Sequence, residues 1–271
     1  MPKCNCSLCK YNNPRPTNSA VIIKDQKLLL AKRIKAPFAG EWDFFGGYVN
    51  AGETIEASLR REVKEELGVD CDTFYLGSFP GTASYGAETY PVLNFAYLTF
   101  LKGELQLDKN ENSAFKWIPL REIKSIAFDS NIKILKFVQQ KFVFDLARAK
   151  ELTRQLDPTA QFKEESLYRA ILEGHIEKIE ENGKLIGMGW IFPRQTMLRR
   201  QAVVEDMIVD ESQRGKGLGE KILKGLLKWA KDQGVEVVEL TTNPKRVAAN
   251  ALYRKLGFKL HETNHYLLNL V

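Results

Sequence analysis

The sequence predicts a mixed α/β (α+β) protein made of two consecutive domains, and three observations carry that expectation. The chain has 271 residues, more than the roughly 100–200 that one domain usually takes. Short β-branched and aromatic stretches alternate with amphipathic helical ones along its length. Each half also holds one glycine-marked constellation just ahead of a helix, as if each carried a site of its own.

After Pro14 and Pro16, residues 20–23 and 28–31 read as two short strands around Lys24-Asp25-Gln26. Residues 54–67 read as a helix. Ile55, Leu59, Val63 and Leu67 form one apolar stripe, Thr54 can cap its start, and Gly68 can end it. The apolar and aromatic run 90–101 predicts a buried strand, residues 115–118 another, and 132–143 a closing helix. Residues 146–156 and 165–172 read as further helices. Asn182-Gly183 marks a hairpin between strands at 176–179 and 185–191. Then come a strand at 202–209, an amphipathic helix at 218–233, a strand at 235–240, and a helix at 248–256 stopped by Gly257. The seam falls between residues 140 and 160, and the domains are set at 1–142 and 143–271.

With 44% hydrophobic and 27% charged residues, the chain is globular, which excludes disorder, collagen and a disulfide scaffold. No apolar run approaches the ~20 residues that cross a bilayer, and the first residues make no secretory signal. A cytoplasmic protein without a membrane partner is expected. The net charge of +6 divides evenly, 19 basic against 16 acidic residues in 1–142 and 21 against 18 in 143–271. So even a spread attracts phosphorylated small molecules but argues against a specific nucleic-acid partner. The oligomeric state stays open.

Cys4, Cys6 and Cys9 crowd the N-terminus, with Cys71 far away. A structural zinc site takes four ligands, usually as two separated pairs, so these thiols argue for reduced cysteines rather than zinc. The only histidines are His175, His261 and His265. Catalytic work therefore falls to carboxylates.

The first constellation is Gly47, Glu53, Arg61, Glu62, Glu65, Glu66, Gly68 and Val69. Glu62, Glu65 and Glu66 stand at i, i+3 and i+4, on one helical face. Taken alone, three glutamates so spaced read as a solvated acidic face. A hard divalent cation would relieve their repulsion, since carboxylate oxygens and substrate phosphates suit Mg²⁺. Gly46-Gly47 lets the chain turn tightly and bring a carbonyl near such a metal. The full pattern Gly-x5-Glu-x7-Arg-Glu-Val-x-Glu-Glu-x-Gly-Val resembles the signature box of the Nudix hydrolases, with every fixed position filled. Phe38 to Gly47 and Phe115 to Leu120 resemble the family's flanking strands. The resemblance implies an α/β/α sandwich with a mixed sheet that hydrolyses a nucleoside diphosphate linked to another moiety. It implies that Glu62, Glu65, Glu66 and the Gly47 carbonyl bind Mg²⁺ (or Mn²⁺), with Arg61 and Glu53 orienting them. The general base is either a glutamate of the box, Glu62 or Glu65, or a later carboxylate, for which Glu111 is the candidate. The three N-terminal cysteines match only part of the zinc ribbon that precedes family members acting on NADH.

The second constellation runs from the strand through Glu205, Asp206, Met207, Ile208 and Val209 into Arg214, Gly215, Lys216, Gly217, Leu218 and Gly219, then a helix. Glycines let main chain approach a ligand closely, and a helix start presents free N–H groups to an anion. On the glycines alone, a plain strand-to-helix turn is an equal reading. Arg214-x-x-Gly217-x-Gly219 resembles the coenzyme A pyrophosphate motif of the GNAT acetyltransferases, and the segment from Arg246 through Asn250 and Tyr253 to Phe258 resembles that family's last helix. The resemblance implies a mixed-sheet α/β domain using acetyl-CoA to acetylate an amine. It implies that Met207 to Val209 pair with the pantetheine arm, that Asn250 belongs to the donor site, and that Tyr253 protonates the departing thiolate. A buried tyrosine with a satisfied hydroxyl is an equal reading of Tyr253. Glu205, or alternatively Asp206, would be the general base, and strand alternation turns only one of them to the cleft.

Together these imply a bifunctional enzyme whose partners are a nucleoside diphosphate derivative and an amine-bearing acceptor. The alternative is an acetyltransferase with the front domain as a nucleotide-sensing regulatory module. Sensors of that kind usually lose box glutamates, and here all are kept.

Overall fold

The computed structural model describes residues 13–108, 112–268 and 270. The chain divides into two compact units, one running to Leu146 and taking in Lys163–Tyr168, the other holding Ala147–Phe162 and everything from Arg169.

In the first unit, β1 (Arg15–Val21) runs parallel to β6 (Glu88–Lys102), and β5 (Asp70–Tyr85) pairs antiparallel on the far side of β6. A second sheet centres on β3 (Lys27–Arg33), which pairs with β2 (Ile23–Lys24), β4 (Trp42–Asp43) and β7 (Asn112–Pro119). The expected strand at 20–23 is broken at Ile22, and the turn after it places Asp25 and Gln26 at φ 50° and 57°. β5 was not foreseen, because Gly77, Pro80 and Gly81 interrupt its apolar pattern. It bends at a register shift near Gly77.

Helix α1 (Ile55–Leu67) starts and stops as its sequence dictates: Ala57 N–H donates to Thr54 Oγ1 at 3.1 Å, and Gly68 closes it at φ 71°. Leu59, Val63 and Leu67 are fully buried against Ala20, Ile22, Leu29 and Phe45. Helix α2 (Asp129–Phe142) covers the opposite face. Alternation along β1 shows this: Asn18 bonds Ser58 of α1, Ser19 reaches Asn131 of α2, and Ala20 returns to the α1 side. A mixed sheet thus lies between two helices. In the same unit the Glu164 carboxylate accepts the backbone N–H groups of Asp25 and Gln26, at 2.9 and 3.3 Å.

Helices α3 (Leu146–Leu156) and α4 (Glu164–Glu173) come next in the chain, and the second unit takes α3 from Ala147 and α4 from Arg169. The sheet has the order β11-β10-β9-β8, from β8 (His175–Glu181), β9 (Lys184–Gln195), β10 (Arg200–Val209) and β11 (Val237–Leu240). Asn182 and Gly183, at φ 52° and 75°, make the expected hairpin turn. β10 and β11 are parallel, linked through α5 (Leu218–Asp232), while the other pairs are antiparallel. Ile222, Leu223, Leu226 and Ala230 of α5 are buried on the sheet. Helix α6 (Val247–Lys255) follows β11. No helix is long and apolar enough to cross a membrane, among the described residues.

Candidate functional site

Two places gather the residues singled out above, one in each unit. The first is built on α1. Arg61 is its hub: Nε and Nη2 hold Glu53 in a fork at 2.7 and 3.1 Å. Nη1 of the same side chain donates to Glu62 at 2.8 Å and to Glu65 at 2.9 Å. That fork pulls the Glu53 carboxyl down to about 2, well below the ordinary range. Glu62 is largely buried, with 13% of its side chain exposed, and Glu65 is open at 58%. Glu66 turns inward instead, accepting from Gly46 N–H at 2.8 Å and from Asn112 Nδ2 at 2.7 Å. It thereby ties the glycine turn to the helix, a task sequence reasoning did not assign to it.

Both glycines of the turn are required. Gly46 has φ 134° and abuts the Asn18 carbonyl, and a Cβ on Gly47 would lie 2.5 Å from Glu62 Oε1. The Gly47 carbonyl accepts from Asn18 N–H at 2.9 Å. Among the described residues, no group of three His, Cys, Asp or Glu side chains surrounds one point as a metal site. Glu62 and Glu65 nevertheless meet on one positively charged nitrogen, so their hard oxygens already accommodate a cation there. That donor chemistry fits Mg²⁺ or Mn²⁺. Glu111 and Cys4, Cys6 and Cys9 lie outside the described residues.

A cleft of about 200 Å³ opens beside this turn. Its floor is polar yet buried: Asn131 Nδ2 donates to Asp43 at 2.6 Å, and Asn94 Nδ2 donates to Asn131 Oδ1 at 2.7 Å and Ser19 Oγ at 3.0 Å. Arg33 pairs with Asp43 at 2.9 Å. Burial outweighs that pairing and pushes the Asp43 carboxyl up to about 6. Tyr48, Tyr85 and Phe128 also line it, the Phe128 ring with the Arg33 guanidinium 4.8 Å from its centre. Sequence reasoning missed Asp43, Asn94 and Asn131 as site residues. For Asp43 and Asn94 the signal was a carboxyl or amide inside an otherwise apolar stretch, whereas Asn131, after Asp129 and Ser130, carried none.

The second place lies where β10 leaves its neighbours. β11 pairs with β10 only up to Val204↔Leu240, so Glu205–Val209 has no β11 partner. On the other side the register with β9 slips between Glu205 and Ile208, with Asp206 at φ 50°. Burial, then the nearby Asp206 charge, raises the Glu205 carboxyl, against a smaller pull from His265. Glu205 is half-buried and Asp206 exposed.

Beyond Val209 a 3-10 turn, Glu211–Gln213, leads to Gly215 and Gly217 at φ 79° and 77°. No side chain caps the start of α5, so no side-chain acceptor occupies its first N–H groups. Gly219 lies against Leu252 of α6 and Val209. Arg214 Nε donates to the Val209 carbonyl at 3.3 Å, and Lys216 to Gln213 Oε1 at 2.6 Å. Asn250 Nδ2 bonds the carbonyls of Asn243 and Arg246, at 3.1 and 3.0 Å, which shapes the start of α6. Tyr253, on the same helix, is half-buried, and that burial raises its hydroxyl.

Compared with known proteins, residues 14–140 match the profile of the NUDIX domain, and residues 142–258 that of the Acetyltransferase (GNAT) family. An ADP-ribose pyrophosphatase of Methanocaldococcus jannaschii is 31% identical over 126 residues, which are 46% of this chain and 73% of the relative. A putative nudix hydrolase 1 of Caenorhabditis elegans is 31% identical over 134 residues, 46% of this chain and 35% of that one. An uncharacterized N-acetyltransferase of Bacillus subtilis, YobR, is 36% identical over 63 residues, 23% of this chain and 26% of its own. The chain thus spans well under two thirds of the latter two.

Proposed function

Through residues 14–140 the chain belongs to the NUDIX family and through residues 142–258 to the GNAT acetyltransferase family, and from that premise we propose a bifunctional enzyme. Its first half hydrolyses a nucleoside diphosphate linked to another group, with Mg²⁺ or Mn²⁺. Its second half moves an acetyl group from acetyl-CoA to an amine. The observation that carries the hydrolase reading is the meeting of Glu62 and Glu65 on one cationic nitrogen, behind a Gly47 that also lines the polar cleft. ADP-ribose is the leading substrate, since the Methanocaldococcus jannaschii relative bears the name of an ADP-ribose pyrophosphatase. The cytoplasm is the proposed setting, where a free thiol such as buried Cys71 persists.

In this reading Glu62, Glu65 and Glu66 would hold the metal together with the Gly47 carbonyl, and Arg61 holds the first two side by side on one face of the helix. A divalent metal there supplies neutralisation of the pyrophosphate charge and an activated water. Glu65, the more exposed of the pair, accepts the proton of the attacking water, with Glu111 the alternative base. The water oxygen bonds to phosphorus, and the bridging P–O bond breaks. The bridging oxygen leaves with the second phosphate, giving a nucleoside monophosphate and a phosphorylated partner. Asp43, Asn94 and Asn131 offer donors and acceptors to the nucleoside in the cleft.

In the second half, the unpaired edge at Glu205–Val209 receives the pantetheine arm, and the backbone of Gly215 to Gly219, with Arg214 and Lys216, receives the pyrophosphate. Glu205, or Asp206 in its place, takes a proton from the acceptor amine. The nitrogen bonds to the acetyl carbon, the C–S bond breaks, and Tyr253 gives a proton to the departing thiolate. Two measurements test the proposal. Incubation with Mg²⁺ and a panel of ADP-ribose, NADH, nucleotide sugars, dinucleoside polyphosphates and dNTPs should release phosphate products, detected by ³¹P NMR. Acetyl-CoA should raise the melting temperature, and Gly217→Glu should remove that rise. Silence across the panel rejects the hydrolase, and a melting point unmoved by acetyl-CoA rejects the transferase.

A further inference from the structure

Helix α3 carries an arginine on its apolar face. Arg148 stands beside buried Ala149 and Leu152, and only 9% of its side chain is exposed. A guanidinium so placed needs charged and polar partners, or it costs more than an apolar side chain of equal size. It has them: the carboxylates of Asp210 and Glu151, and the Leu185 carbonyl at 3.1 Å.

Asp210 is the last residue before the turn that leads into the glycine loop. Its two oxygens are divided between two tasks. Oδ2 takes Arg148, while Oδ1 accepts Ser212 N–H at 2.9 Å and Ser212 Oγ at 2.6 Å, and so caps the turn. These bonds hold its carboxyl well below the usual range, and the group stays charged. Farther on, no neighbour crowds the two positive-φ glycines of the loop: nothing lies within 4 Å of where a Cβ would stand on Gly215 or Gly217. The loop is set from its start. Helix α3 adds two more ties, Gln155 Oε1 accepting Glu211 N–H at 3.0 Å and the Leu156 carbonyl accepting from Arg246 at 3.3 Å. Arg246 begins the helix that carries Asn250 and Tyr253.

We propose that Arg148 is a positioning residue of the donor site: through Asp210 it fixes the start of the 210–219 loop so that the loop's N–H groups converge on a pyrophosphate. The inference rests on the acetyl-CoA reading above. It makes α3 a bracket that sets loop geometry without touching the donor.

The test compares two ligands on the full-length protein by calorimetry. Acetyl-CoA carries the pyrophosphate, and S-acetylpantetheine carries no phosphate at all. Arg148→Met should weaken acetyl-CoA binding tenfold or more and change the second ligand less than twofold, with Arg148→Lys in between. A loss shared equally by both ligands, or no loss for acetyl-CoA, overturns the positioning role. If Arg148→Met does not fold, Asp210→Asn is scored by the same two ratios. Wild-type protein that binds neither ligand overturns the acetyl-CoA reading itself, a result distinct from a wild type that binds and a variant that binds equally well.

Discussion

In the first unit the candidate chemistry is carried by side chains that hold one another, and in the second by main chain that packs against almost nothing. Around α1, Arg61 grips three carboxylates, and Glu66 grips the turn that abuts Glu62. Around the 210–219 loop, Gly215 and Gly217 stand at positive φ in open space and the helix start has no side-chain cap. A site of the first kind is broken by changing one charge or adding one methyl group. A site of the second kind tolerates most side-chain changes and is broken only by altering backbone geometry.

The largest expected contrast comes from Glu62→Gln. Losing one ligand charge at a metal-dependent step costs several kcal/mol, so hydrolysis should fall on the order of 10³-fold while the acetyl-CoA melting shift stays put. Equal hydrolysis by the variant would erase the distinction. Next is Asp43, whose folded value near 6 exceeds the ordinary 3.8. The folded state therefore keeps this proton longer than the unfolded one. Its stabilising contribution is full below about pH 4 and is lost as pH rises through about 6, an upper bound of roughly 3 kcal/mol. Urea unfolding of wild type and Asp43→Asn at pH 4 and pH 7 checks this. Their difference should change by that order between the two pH values, and parallel profiles would contradict it.

The two glycine positions then separate space from conformation. Gly47→Ala places a Cβ 2.5 Å from Glu62 Oε1 and should lower hydrolysis about 10²-fold by misplacing a reacting group. Gly217→Val meets no neighbour but forces a β-branched residue to φ 77°. That strain, of about 1–3 kcal/mol, should weaken acetyl-CoA roughly tenfold or more. Gly217→Asn, which tolerates that region, should weaken it less, and calorimetry on both variants orders them. Smallest is Thr54→Ala, which removes the α1 cap and should cost about 1 kcal/mol of stability, with no effect on acetyl-CoA affinity.

The same contrast explains what was legible in the sequence. Helix α1 could be read almost to the residue, because its stripe, its cap and its closing glycine are local. The turn at Asn182-Gly183 and the helix α5 were legible for the same reason. β5 was not, since a strand broken by glycines and a proline is recognised only by its partner β6. Glu66 was foreseen on the carboxylate face, but its bonds to Gly46 and Asn112 depend on residues 20 positions before and 46 after it. The polar floor of the cleft likewise joins β4, β6 and α2, and no local pattern announces such a meeting. Arg148 carried no signal until Asp210 stood beside it.

The central claim is that Glu62 and Glu65 make a metal-dependent pyrophosphohydrolase, and one rate comparison tests it most directly. With ADP-ribose and Mg²⁺ followed by ³¹P NMR, wild type should yield AMP and ribose 5-phosphate, chelator should stop the reaction, and Glu62→Gln with Glu65→Gln should lower it beyond detection. A double variant that cleaves ADP-ribose at the wild-type rate would contradict the account.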